Sequence, residues 1–235
     1  MARFQWFGAL KAACIAGAAA FSFSTVAEAE PLGSHQPLVQ ASLGVRASKV
    51  PSKGYDAFAT SDELIQVSIG VGATVLKGGN FSLAGVGFWD YGTHSGTARG
   101  DGTELDVHRL SIGPEFRYHL IPTLFVFANA LPAFAHSEAS LDDPIAGATR
   151  YARHWSFGAD FAAGAAYQVY GMRSGESSKP RVWLMAEGGY GYQPSTRLVL
   201  SPDAGSDAPQ RTQPLDLGSL ALGGPFLRAS AAVSF

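Results

Sequence analysis

His154 and Ser156 are two residues apart, a spacing that sends both side chains out of the same face of an extended strand. A hydroxyl nucleophile and the base that activates it need that closeness, and Asp160 lies nearby as a candidate to orient the imidazole. The plainer reading is a set of polar side chains at the mouth of a strand. Arg99-Gly100-Asp101, within THSGTARGDGT, is a second short signal. A displayed receptor-binding tripeptide and an ordinary turn both fit it, since glycine and aspartate have their own backbone reasons to occupy turns. Asp203, Asp207 and Asp216 lack the spacing of a calcium loop. The sequence calls for no cofactor and no metal.

A larger constellation is made of charges: Arg46, Asp90, Arg109, Glu115, Arg117, Asp160, Glu187 and Arg228, four of each sign. What they have in common shows only when the elements carrying them are laid out. Residues 39–48 alternate, with Val39, Ala41, Leu43, Val45 and Ala47 on one face. Residues 65–75 do the same with Ile65, Val67, Ile69, Val71, Ala73 and Val75. Period two means strand. Six more segments follow, at about residues 81–92, 105–120, 123–136, 153–169, 181–192 and 220–235, which makes eight. The fifth is apolar on both faces, so its register stays open. Every one of the eight charges falls opposite the apolar face.

Alternation alone suits a soluble sandwich as well as a barrel in a membrane. Strand length separates them, because spanning takes about 9 to 11 residues and a common soluble strand has about 5 to 6. Connection lengths also bear on it. Residues 49–63, 93–104, 137–152 and 193–219 read as long loops, and 76–80 and 121–122 as short turns; 170–180 is longer than that rhythm prefers. With the amino terminus in the periplasm, Trp89, Tyr91, Trp155, Tyr190 and Tyr192 fall at the outer interface. Phe81, Tyr118, Tyr167 and Phe235 fall at the inner one. Two aromatic girdles are expected of a barrel. The eight charges then point into an interior just wide enough for side chains, where balanced signs imply a paired network. Facing lipid, each arginine would cost roughly 2 to 4 kcal/mol at the midplane.

The first 29 residues read as an export signal. Arg3 and Lys11 precede an apolar core at 12–23 (AACIAGAAAFSF), and Ala27-Glu28-Ala29 supplies the small-x-small cleavage pattern. An uncleaved anchor is the rival, but Lys11 interrupts the apolar run that spanning requires; a lipoprotein reading of Cys14 fails on Lys11 three residues before it. Cleavage before Glu30 would leave 15 basic and 18 acidic residues and no cysteine. That balance argues against nucleic acid as a partner, and stability must come without disulfides. At 46% hydrophobic and 15% charged, the chain is half apolar without a helical span. Residues 120–135 are interrupted by Pro122, Asn129 and Pro132.

The carboxyl-terminal stretch LRASAAVSF, with Leu227, Ala229, Ala231 and Val233 alternating before Phe235, resembles the terminal strand signal of bacterial outer-membrane barrels. HRLSIGPEFRYHL at 108–120 resembles a segment of small barrels of the OmpA/OmpX and porin-like type. The resemblance covers about residues 36–235 and lacks a peptidoglycan-binding domain. It implies that the barrel assembly machinery reads Phe235 and its alternating partners during biogenesis. The His154-x-Ser156 pair is similar to one in outer-membrane lipid A deacylases, except that Phe157 stands where those proteins carry Asn.

The expectation is an all-β, eight-stranded antiparallel transmembrane up-and-down barrel over 39–235. It follows a signal peptide at 1–29 and a periplasmic segment at 30–38. The chain is expected as a monomer in the bacterial outer membrane, exported through the periplasm, with outer-membrane lipid and lipopolysaccharide as surroundings and no enzymatic activity. A structural or surface-interaction role through the loops, with a closed charged interior, is the first reading. A narrow channel for small polar or hydrophobic solutes is the alternative, and lipid A hydrolysis through His154 and Ser156 is a remote third.

Overall fold

A computed structural model describes residues 39–98, 101–143, 148–171, 180–202 and 214–235. The expected signal peptide, the segment 30–38, Arg99, Gly100, Asp203 and Asp207 lie outside the described residues. The strands are β1 (Val39–Lys49), β2 (Glu63–Gly78), β3 (Phe81–Ala98), β4 (Asp101–Ile121), β5 (Leu124–Asp143), β6 (Ala148–Tyr170), β7 (Arg181–Tyr192), β8 (Thr196–Pro202), β9 (Leu215–Leu220) and β10 (Gly224–Ser234).

Strands β1 to β7 and β10 form a ring, each pairing antiparallel with its neighbours. The ring closes between β1 and β10, in register from Gln40↔Ser234 to Ser48↔Phe226. Val39 and Phe235 add a reciprocal pair of backbone hydrogen bonds of 3.3 and 3.0 Å at its end. Closure leaves the ring without a free edge along this seam. Gly44 is required there, because a Cβ would meet the Ala229 carbonyl oxygen at 2.3 Å. At the same end of the barrel, Gly79 turns β2 into β3 at φ 58°, a left-handed conformation that glycine adopts without a Cβ penalty.

The alternation read from sequence separates two surfaces. Leu43, Val71 and Leu227 are 61%, 64% and 69% exposed on the outside, whereas Arg46, Ser68 and Arg228 are buried inside. The open register of the fifth strand resolves with Phe125, Phe127, Asn129, Leu131, Ala133 and Ala135 inward and Val126, Phe134 and His136 outward. Local pattern could not decide this, because both faces of that strand are apolar; pairing with β4 and β6 decides it.

Three expectations need correction. Residues expected as long loops at 93–104 and 137–152 are mostly strand, so β3 to β6 stand as a tall wall above the rest of the barrel. Alternation continues there: Leu105, Val107, Ala139 and Leu141 face inward and are buried. The long connection 193–219 contains two further strands, β8 and β9. They pair with each other, and β8 adds to β6 at Arg150↔Pro202 and Tyr151↔Ser201. The last barrel strand starts at Gly224, since residues 221–223 link it to β9.

The wall and hairpin have a purpose in packing. Val50, Tyr55 and Phe58 from the connection between β1 and β2 meet Leu198, Leu200 and Leu220 from the hairpin, Leu222 from the link after it, and Leu105 and Leu141 from the wall, in one buried apolar cluster. Burying such side chains is worth about 1.5 to 3 kcal/mol each. At the opposite end, where Val39 pairs with Phe235, Phe125, Phe127, Trp183 and Met185 form a second cluster. Trp183 Nε1 donates to Ser234 Oγ at 2.8 Å.

Candidate functional site

Between those two apolar layers lie the eight charged side chains, all buried. They lie on the inward faces of β1, β3, β4, β6, β7 and β10, with Arg46 opposite Arg228, Arg228 opposite Glu187, and Asp90 opposite Arg109. Their contacts join into a chain whose sign alternates from Arg109 to Glu187, and Asn129 links that run to the Glu115–Arg117 pair. Arg109 Nε and Nη2 donate to Asp160 at 3.0 and 2.7 Å, a two-pronged pair. Asp160 also accepts from Arg46 Nη1 and Nη2 at 2.9 and 3.2 Å. Arg46 Nη1 reaches Asp90 Oδ2 at 3.0 Å, and Arg228 Nη2 reaches the same oxygen at 2.9 Å. Arg228 pairs in turn with Glu187. Asn129 Nδ2 then spans Glu187 and Glu115 at 3.3 and 3.4 Å, and Glu115 accepts from Arg117 Nε at 2.7 Å.

Aromatic rings flank the cations. The Arg46 guanidinium lies 3.9 Å from the Phe226 ring centre, that of Arg228 4.0 Å from Phe88, and that of Arg117 5.1 Å from Phe125. Delocalised guanidinium stacks on a ring face more readily than ammonium, which suits arginine at these three positions. Four positive and four negative groups in mutual contact meet the condition under which ions tolerate burial.

Sequence reasoning omitted Asn129, Gln193 and Ser48. Asn129 was unassigned because its strand is apolar on both faces. Gln193 lies beyond β7, yet its Oε1 accepts from Arg109 Nη1 at 3.0 Å. Ser48 Oγ accepts from Arg46 Nε at 3.0 Å; as an inward polar residue two positions from Arg46, it carried a usable signal.

His154 and Ser156 do share the inward-facing side of β6, but each has its own partner. His154 Nε2 is 2.8 Å from Thr196 Oγ1 on β8, and Ser156 Oγ accepts from Gln193 Nε2. Asp160, the candidate orienting acid, is committed to Arg46 and Arg109. Among the described contacts no hydrogen bond joins His154 to Ser156, so the pair ties the hairpin and the charge chain to the wall. A small cavity beside them is lined by Ser137, His154, Gln193, Thr196, Leu198, Leu220 and Leu222.

The aromatic residues form rows on the outside. Phe81 stands 4.8 Å from Tyr118 and 5.4 Å from Phe116 toward the end where Val39 pairs with Phe235, and Tyr167 and Phe235 are exposed. Trp89 and Tyr91 stack toward the far end at 6.2 Å, where Trp155, Tyr190 and Tyr192 are exposed too. Leu227, Ala229, Ala231, Val233 and Phe235 all face outward on the closing strand. In the hairpin, Asp216 accepts from Arg197 Nε at 2.8 Å and from the Gly218 amide at 2.9 Å. Those contacts hold its carboxyl below the usual carboxylate range.

No protein-family model matches the sequence, and no curated protein matches it. Solved structures of similar shape do. The attachment invasion locus protein Ail of Yersinia pestis is 12% identical over 85% of this chain and 99% of its own, with a TM-score of 0.47. For Neisserial surface protein A the identity is 16%, over 84% of this chain and 96% of that one, with a TM-score of 0.39. The transport unit of the autotransporter AIDA-I from Escherichia coli is 10% identical over 96% and 97%, with a TM-score of 0.43. Each is an outer-membrane β-barrel protein to which this chain is similar.

Proposed function

We propose that this protein is a closed barrel of the bacterial outer membrane that acts as a structural or surface-interaction element through its outer wall and hairpin. The outward apolar band between two aromatic rows supports insertion in a bilayer. In this reading residues 1–29 direct export through the periplasm and are removed. The outward residues of β10, ending in Phe235, are read by the barrel assembly machinery. Outer-membrane lipid and lipopolysaccharide surround a monomer, with no catalysis.

The observation that carries a closed interior is the chain of buried contacts from Arg109 to Arg117, in which every carboxylate meets an arginine and Asn129 bridges Glu187 and Glu115. Above it the connection 50–62 and the β8–β9 hairpin form a cap with its own apolar cluster, and this cluster and the Phe125–Trp183 layer at the other end add to the same reading. A solute would have to push through both apolar layers and break the paired ions between them.

Planar-bilayer recording tests this. Folded protein should give no single-channel steps. Defined steps in the unmodified protein, altered in size by Glu115→Gln or Arg117→Gln, would overturn the closed reading in favour of a narrow channel.

A further inference from the structure

We infer a binding site for a late divalent transition-metal ion, of the zinc or copper type, on the outward face of the wall, with His108 and His136 as its principal ligands. The two residues are 28 positions apart in sequence, and the register of β4 and β5 makes them direct cross-strand partners. Both point outward and are half-buried. Their ring centres are 6.4 Å apart. Zinc–nitrogen bonds are about 2.0 to 2.1 Å long, so two imidazoles at this separation converge on one ion after a modest rotation of their side chains.

The next outward row supplies oxygen. Asp106 and Glu138 are also direct partners, each two residues from a histidine on its own strand, and so share the face of the imidazoles. Their present contacts are easily exchanged. Asp106 accepts from the Tyr91 hydroxyl at 3.4 Å. Glu138 accepts from Arg153, whose side chain is 68% exposed, and an exposed ion pair adds little stability. Two imidazoles with one or two carboxylates are a donor set suited to zinc or copper and poorly suited to calcium or magnesium.

Flanking rings favour the site. Tyr91 lies 4.7 Å from His108 and Trp155 lies 4.5 Å from His136, ring centre to ring centre. They brace the imidazoles from either side. Among the described residues no three such groups already stand in coordinating geometry, so the ligands come together as the ion binds.

The full-length chain, without a polyhistidine tag, is folded in detergent and titrated with Cu²⁺ at neutral pH while tryptophan emission is followed. Trp155 and Trp89 are close enough to the imidazoles to be quenched. Quenching should saturate at one ion per chain and be reversed by EDTA, and Zn²⁺ bound beforehand should raise the Cu²⁺ concentration needed, copper being held more tightly than zinc at such a donor set. His108→Ala and His136→Ala should each weaken binding by more than about tenfold, the lower end of what even an outer-shell change costs a metal site. Glu138→Gln and Asp106→Asn should together weaken it severalfold. Heat-modifiable gel mobility checks folding, and His108→Phe and His136→Phe, which keep a ring in each row, replace any alanine variant that fails to fold. Absent or non-saturating quenching, or binding that survives loss of either histidine, would overturn the site.

Discussion

Arg46 and Arg228 stand directly opposite each other across the seam that closes the barrel, and both donate to Asp90 Oδ2, at 3.0 and 2.9 Å. Two like charges as immediate cross-strand neighbours would be destabilising. Here one carboxylate between them turns repulsion into a clamp. The place where the first and last strands must meet is thus held by a side chain from β3.

Replacing Asp90 by alanine should therefore weaken closure more than an ordinary core change. Removing one partner from a buried ionic group costs about 3 to 5 kcal/mol, and here two guanidinium groups lose a counter-ion. Urea-induced unfolding in detergent should show a loss of this size, with reduced heat-modifiable mobility. The quadruple variant Asp90→Leu, Arg46→Met, Arg228→Met, Glu187→Met should be more stable than Asp90→Ala, because the charges it leaves, Arg109 with Asp160 and Arg117 with Glu115, are balanced pairs. A fall of less than about 1 kcal/mol for Asp90→Ala would show that the clamp contributes no more than a surface pair.

The cap should titrate at high pH. Tyr55 is buried in the apolar cluster, its hydroxyl donating to the Glu63 carbonyl at 2.9 Å. Burial, with Asp62 nearby, pushes its phenol up to about 12. An unfolded tyrosine ionises near 10. Since the folded value is the higher one, this contribution to cap stability is fully present below about pH 10. It is lost as pH rises from there through about 12. Proteolysis of residues 50–62 should accelerate over that window and not below it. Tyr55→Phe should abolish the alkaline dependence, while Leu200→Ala should speed cleavage at every pH, a cavity in this cluster costing about 2 to 5 kcal/mol.

His154 and Ser156 should prove to be anchors. Lipid A incubated with the folded protein should remain intact by mass spectrometry. Ser156→Ala should instead loosen the hairpin, because it removes the acceptor for Gln193, which also holds Arg109. Faster proteolysis of β8 and β9 would record that. Acyl-chain release that disappears in Ser156→Ala would reverse the assignment.

Alternation along each strand determined which side chains face one another and which face away. It therefore separated the apolar outer surface from Arg46, Asp90, Arg109, Glu115, Arg117, Asp160, Glu187 and Arg228. That separation is local, a consequence of successive Cβ atoms pointing to opposite faces. The same reasoning stops at 123–136, where both faces are apolar, and it reads 93–104 and 137–152 as long loops from the rhythm of long and short connections between the alternating segments. Their extension as strand depends on distant side chains, the leucines of β8 and β9 that cover Leu105 and Leu141.

Which ions pair was equally out of reach of the sequence. Arg46 meets Asp160 at a separation of 114 residues, and Asn129 joins Glu115 to Glu187 only because β4, β5 and β7 converge on the same depth of a closed ring. The meeting of His108 with His136 has the same origin. A strand's faces are set by its own backbone, whereas its neighbours across the interior and along the wall are set by register and closure, which no single strand encodes.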